Sequence, residues 1–70
     1  MLPLGFANDN EELIIKKVSG SPEVKKHLEN LGFIPGSNVA IVNRASGNLI
    51  VRVKESRIAI NEEMARKIMV

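Results

Sequence analysis

One histidine and no cysteine set the limits on the chemistry open to this 70-residue chain. His27 follows Glu23 by four residues, a spacing that puts an imidazole and a carboxylate on one face of a helix. Such a pair begins a divalent-metal site. A divalent transition ion takes several nitrogen or oxygen donors, however, and no further ligand stands in register with these two. A histidine on or near the surface is the plainer account. Met64 and Met69 carry thioethers, which suit Cu(I) better than harder divalent ions and pack readily into cores. Glu62 and Glu63 are adjacent, so they diverge instead of forming an acid/base pair. Without cysteine, disulfides and thiolate metal sites are excluded. No phosphate-cradling glycine loop and no nucleophile–base arrangement is present, so the chain is expected not to be an enzyme.

The other chemistry-bearing group is basic. Residues 36–70 carry Arg44, Arg52, Lys54, Arg57, Arg66 and Lys67 against Glu55, Glu62 and Glu63, within a net charge of +2. The first half balances the other way. Arg44, Arg52, Lys54 and Arg57, with the apolar Ile50 among them, are the candidate contacts for an acidic partner. The same charges also serve as a solvated edge that discourages strand pairing.

The elements that position these side chains are legible from local chemistry. Glu12–Val18 reads as a first strand ended by Ser19-Gly20. Ser21 can cap a helix, Pro22 suits its first position, and Glu23 favours the positive end of its dipole. Val24, His27, Leu28 and Leu31 then form one stripe. Gly32 stops the helix in a left-handed conformation, which brings Phe33 back onto Leu28. Ile34-Pro35-Gly36-Ser37 reads as a type II turn, with glycine supplying the positive φ. Leu28, Leu31, Gly32, Phe33, Pro35 and Gly36 thus form a structural motif that ends a helix and launches a strand within a few residues.

Beyond it, Val39–Arg44 and Leu49–Val53 flank the hairpin connection Ala45-Ser46-Gly47-Asn48. A turn near Lys54–Ser56 leads to Arg57–Ile60, Asn61 caps a helical turn through Ala65, and Lys67–Val70 reads as a closing strand. Period-two alternation points Val39, Ile41, Leu49, Val51, Val53, Ile58 and Ile60 inward. Ala40, Val42, Arg44, Ile50, Arg52 and Lys54 fall on the other face, where Leu2, Leu4 or Phe6 either covers the apolar patch or leaves it to a partner. The expected fold is mainly β: a small, partly open SH3-like barrel of about five strands, with one inserted helix and a short helical turn near the C-terminus.

Length allows a single domain, read as a lead-in over residues 1–10 and a barrel over residues 11–70. The hydrophobic fraction of 44% can form a core. No apolar run approaches the ~20 residues that span a bilayer, and the apolar start lacks the basic residues of a signal peptide, so a cytoplasmic protein is expected.

The sequence Leu28-x-x-Leu31-Gly32-Phe33-x-Pro35-Gly36-Ser37, followed by Val39-x-Ile41, Arg57-Ile58-Ala59-Ile60 and Ile68-x-Val70, resembles the ferrous iron transport A (FeoA) family over roughly residues 11–70. The resemblance implies an SH3-like barrel that assists ferrous iron uptake by contacting the ferrous iron permease, a membrane GTPase. A direct Fe²⁺ interaction is implied by resemblance alone, and no ligand set transfers to matching positions. The competing readings are an RNA-binding barrel and a metal-binding sensor domain. Two phenylalanines and a charge of +2 give little for base stacking or backbone binding, so no nucleic acid is expected.

Overall fold

Local capping chemistry fixes the two α-helices. The computed structural model describes all of residues 1–70. Ser21 Oγ accepts from the Val24 amide at 3.3 Å, and α1 runs Pro22–Leu31. It ends at Gly32, with φ of 106°, where the Phe33 N–H donates to Leu28 O at 2.9 Å. That bond, with the Gly32 N–H donating to Glu29 O, is the Schellman closure expected from the sequence. Asn61 Oδ1 accepts from the Met64 amide at 2.8 Å and starts α2, Glu62–Ala65.

The strands are β1 (Leu13–Ile14), β2 (Lys17–Val18), β3 (Asn38–Ala45), β4 (Asn48–Val53), β5 (Ser56–Asn61) and β6 (Ile68–Met69). They form a four-stranded antiparallel sheet in the order β1-β3-β4-β5 and a small sheet pairing β2 with β6. The first strand expected from the sequence is therefore two. At Ile15 the chain leaves one sheet for the other: Ile15 bonds to Ser37 and Gly36, and the Lys16 N–H donates to Met69 O at 2.7 Å. Both sheets turn their apolar faces onto one core of Leu4, Ile15, Leu28, Phe33, Val39, Ile41, Leu49, Val51, Val53, Ile60, Ala65 and Ile68, with Ile58 packed at its margin.

The N-terminal residues are built into this arrangement. Leu2 and Val70 exchange backbone hydrogen bonds, Leu4 lies in the core, and a 3₁₀ turn covers Leu4–Phe6. Leu4 thus fills the interior and does not cover the outer face of the large sheet, while Phe6 remains 75% exposed.

A bulge corrects the alternation along β3. Ile41 pairs with Val51, but the next pair is Asn43 with Ile50, leaving Val42 as the extra residue. One inserted residue reverses the facing of all that follow. Arg44, expected on the outer face, therefore falls opposite the buried Leu49. Its guanidinium bonds Asp9 Oδ1 at 2.7 Å, Gly5 O at 2.9 Å and Ala7 O at 2.7 Å. This clasp holds the N-terminal segment against the end of the large sheet.

Candidate polar recognition bowl

The outer face of the large sheet is organised by one cross-strand row. Ala40 on β3 stands opposite Arg52 on β4, which stands opposite Arg57 on β5. Glu12, just before β1, forms an ion pair with Arg52. The pair reaches from the β1 side to β4 and therefore passes over β3 at Ala40, which is only 3% exposed although it lies outside the core. A polar bridge thus lies at Ala40, where the sequence left open apolar cover by Leu2, Leu4 or Phe6 or a partner's contact.

The helix-to-strand junction borders the same place. The Ser37 N–H donates to Ile34 O at 2.9 Å and Gly36 has a φ of 94°, the geometry expected of the Pro35-Gly36 turn. The Gly36 N–H also donates to Ile15 O at 2.8 Å, and the Ile15 N–H to Ser37 O at 3.0 Å. These bonds pin the turn to the corner where the chain changes sheets. On the other side, the two-residue corner between β4 and β5 begins at Lys54, whose φ is 56°. Its Cδ would lie 4.0 Å from a Cβ on Gly32, so the lysine stem runs beside the helix stop.

Together, Glu12, Gly36, Ser37, Asn38, Arg52 and Lys54 line an open concavity of about 420 Å³ with no hydrophobic side chain in its wall. No atom lies within 4 Å of where a Gly36 Cβ would stand, so the turn leaves the rim clear. Two cations face one carboxylate there, and hydroxyl, amide and backbone groups supply further donors and acceptors. Such a surface suits recognition of a polar partner carrying acidic groups.

The structure divides the sequence candidates. Arg52 and Lys54 line the bowl, Arg57 is not in its lining but stands opposite Arg52 on β5, and the half-buried Ile50 lies farther along the same face, opposite Ala59. Arg44 stands apart in its clasp. Glu12, Ser37 and Asn38 escape the sequence reading because only strand register brings them beside Arg52. Glu23 and His27 do line one depression, between α1 and α2, together with Val24, Glu63, Met64 and Lys67. No three His, Asp or Glu side chains anywhere in the chain are grouped so as to hold a metal ion. No helix is long and apolar enough to cross a membrane.

Residues 2–70 match the family model described as the FeoA domain. The chain belongs to the FeoA family. A curated relative in Methanocaldococcus jannaschii, provisionally named Fe(2+) transport protein A, is 37% identical over 70 residues, covering all of this chain and 85% of the relative. Among solved structures, an iron uptake regulatory protein (FeoA) superposes with a TM-score of 0.87 at 20% identity, covering 96% of this chain and 91% of that one. The FeoA of Stenotrophomonas maltophilia, solved with zinc and described as an SH3 domain protein, superposes with a TM-score of 0.85 at 20% identity, covering 99% and 88%. These structural likenesses show the fold: this FeoA-family chain is an SH3-like domain. Both glycines of its signature, Gly32 and Gly36, take the positive φ that their place in the motif calls for.

Proposed function

We propose that this FeoA-family chain is a cytoplasmic interaction module that supports ferrous iron uptake by docking on the cytoplasmic region of the ferrous iron permease. Fe²⁺ is then the permease's cargo, and the module acts by contact. The observation that carries the proposal is the bowl, in which the signature turn Gly36-Ser37 and the basic residues Arg52 and Lys54 line one concavity. The family's most recognisable residues thereby shape a surface as well as a fold. The name of the M. jannaschii relative supplies the transport context.

An RNA-binding barrel is the less supported reading. Of two phenylalanines, Phe33 is fully buried, which leaves Phe6 as the single phenylalanine available for base stacking. Direct metal sensing is not favoured either, since Glu23 and His27 lack a third grouped ligand.

Iron uptake in cells provides the test. Deleting the gene should slow ⁵⁵Fe²⁺ entry under reducing conditions, and the wild-type gene should restore it. A Lys54→Glu, Arg52→Ala variant should fold but fail to restore uptake. Full restoration by that variant would remove the bowl from the mechanism.

A further inference from the structure

One edge of the large sheet is left open. β5 is terminal in the order β1-β3-β4-β5 and pairs with β4 alone. Its register with β4 is unbroken from Ser56 to Asn61, with no bulge and no proline. Natural edges are usually shortened, kinked or covered. The opposite edge of this sheet follows that rule: β1 has only two residues, and the chain turns away at Ile15.

The ladder fixes which groups are free. Val53 and Ser56 flank the two-residue corner, so they form a hydrogen-bonded pair, and alternation makes Val51–Ile58 and Leu49–Ile60 the next such pairs. The amides and carbonyls of Arg57 and Ala59 therefore point away from β4. No backbone hydrogen bond from another part of the chain reaches them.

Side chains along this edge carry a pattern. Arg57 and Ala59 are exposed on the outer face, while Ile58 is partly buried and Ile60 buried on the inner one. Arg57 stands directly opposite Arg52, a like-charge pair. Arg52 is neutralised by Glu12 on its far side, but no carboxylate forms an ion pair with Arg57. A carboxylate on an added strand, opposite Arg57, would neutralise it as Glu12 neutralises Arg52.

We infer that β5 is a strand-addition site for an extended acidic segment of a partner protein, with a carboxylate facing Arg57 and apolar side chains facing Ile58 and Ile60. Main-chain bonds to Arg57 and Ala59 supply affinity, and the alternating acidic and apolar side chains supply selection. Six residues of strand, roughly 20 Å at ~3.3 Å per residue, fit a segment of about that length. The inference concerns the β5 edge and stands whether or not the permease is the bowl's partner.

A synthetic peptide of four Val-Glu repeats tests it directly, with a four-repeat Val-Lys peptide and a proline-interrupted Val-Glu peptide as controls. In ¹⁵N-labelled protein, the Val-Glu peptide should bind saturably and slow amide exchange at Arg57 and Ala59 at least tenfold. The Val-Lys control should bind about fivefold more weakly, the upper end of one cross-strand charge contact, and the proline-interrupted control, which cannot complete the main-chain ladder, at least as weakly. Arg57→Glu should reverse the preference between the Val-Glu and Val-Lys peptides. Absence of saturable binding, or binding that leaves the Arg57 and Ala59 amides unprotected, would overturn the inference. So would concentration-dependent protection of those amides without peptide, which would make a second copy of the chain the occupant.

Discussion

Replacing Arg44 should loosen the N-terminal segment and cost more stability than any other exposed charge. Its guanidinium makes one ion pair with Asp9, in which the two side chains are 40% and 46% exposed, and two bonds to the carbonyls of Gly5 and Ala7. The exposed pair contributes about 0.5 kcal/mol after solvent screening. Each carbonyl bond contributes about 1 kcal/mol net, with the partly buried Ala7 bond at the upper end. Arg44→Ala should therefore cost roughly 2–3 kcal/mol, whereas Asp9→Ala should cost only about 0.5 kcal/mol. For a domain of this size that difference moves the melting temperature by roughly 4–8 °C per kcal/mol. Urea unfolding followed by far-UV circular dichroism gives both values, and amide exchange at Asn10, which donates to Ile41 O at 2.7 Å, gives the local effect. If Arg44→Ala cost no more than Asp9→Ala, the clasp would be a surface ion pair and the reasoning from the bulge would fail.

Substitutions at four further positions probe the local geometry. Gly36→Val should destabilise by at least about 1–2 kcal/mol through its φ of 94° alone, because no neighbour stands near the added Cβ; D-alanine introduced there by chemical synthesis should instead be neutral or stabilising in a thermal melt. Lys54→Gly should raise unfolding stability by about 0.5–1 kcal/mol by relieving a positive φ of 56° in a non-glycine residue, and a lower urea midpoint would contradict that. Asn61→Ala should cost about 1 kcal/mol and Ser21→Ala less, since the Asn61 cap is 2.8 Å long and the Ser21 cap 3.3 Å; equal urea midpoints would refute the ranking.

Local chemistry made much of this fold legible. The bounds of α1, the Gly32 stop, the Pro35-Gly36 turn, the Ser46-Gly47 hairpin and the Asn61 cap each depend on side chains close in sequence, and each is found where it is expected. What escaped depends on register. Val42 carries no sign that it is the extra residue of a bulge, because that role depends on how β3 meets β4. The facing of Arg44 was lost with it. The division of the first strand at Ile15 is likewise set by bonds to Gly36 and Ser37, more than twenty positions away. The bowl was half visible: Arg52 and Lys54 stand out as cations, but Glu12 and Asn38 become its lining only once β1 and β3 are paired.

Docking at the bowl is tested most directly by calorimetry between the wild-type chain and the purified cytoplasmic region of the ferrous iron permease from the same organism. The account predicts a saturable complex that weakens as salt rises, because polar and charged groups form the contact. Lys54→Glu combined with Arg52→Ala should weaken it at least about tenfold, roughly 1.4 kcal/mol, while His27→Ala leaves it unchanged. Undiminished binding by the double variant, or no binding by the wild-type chain, would contradict the account.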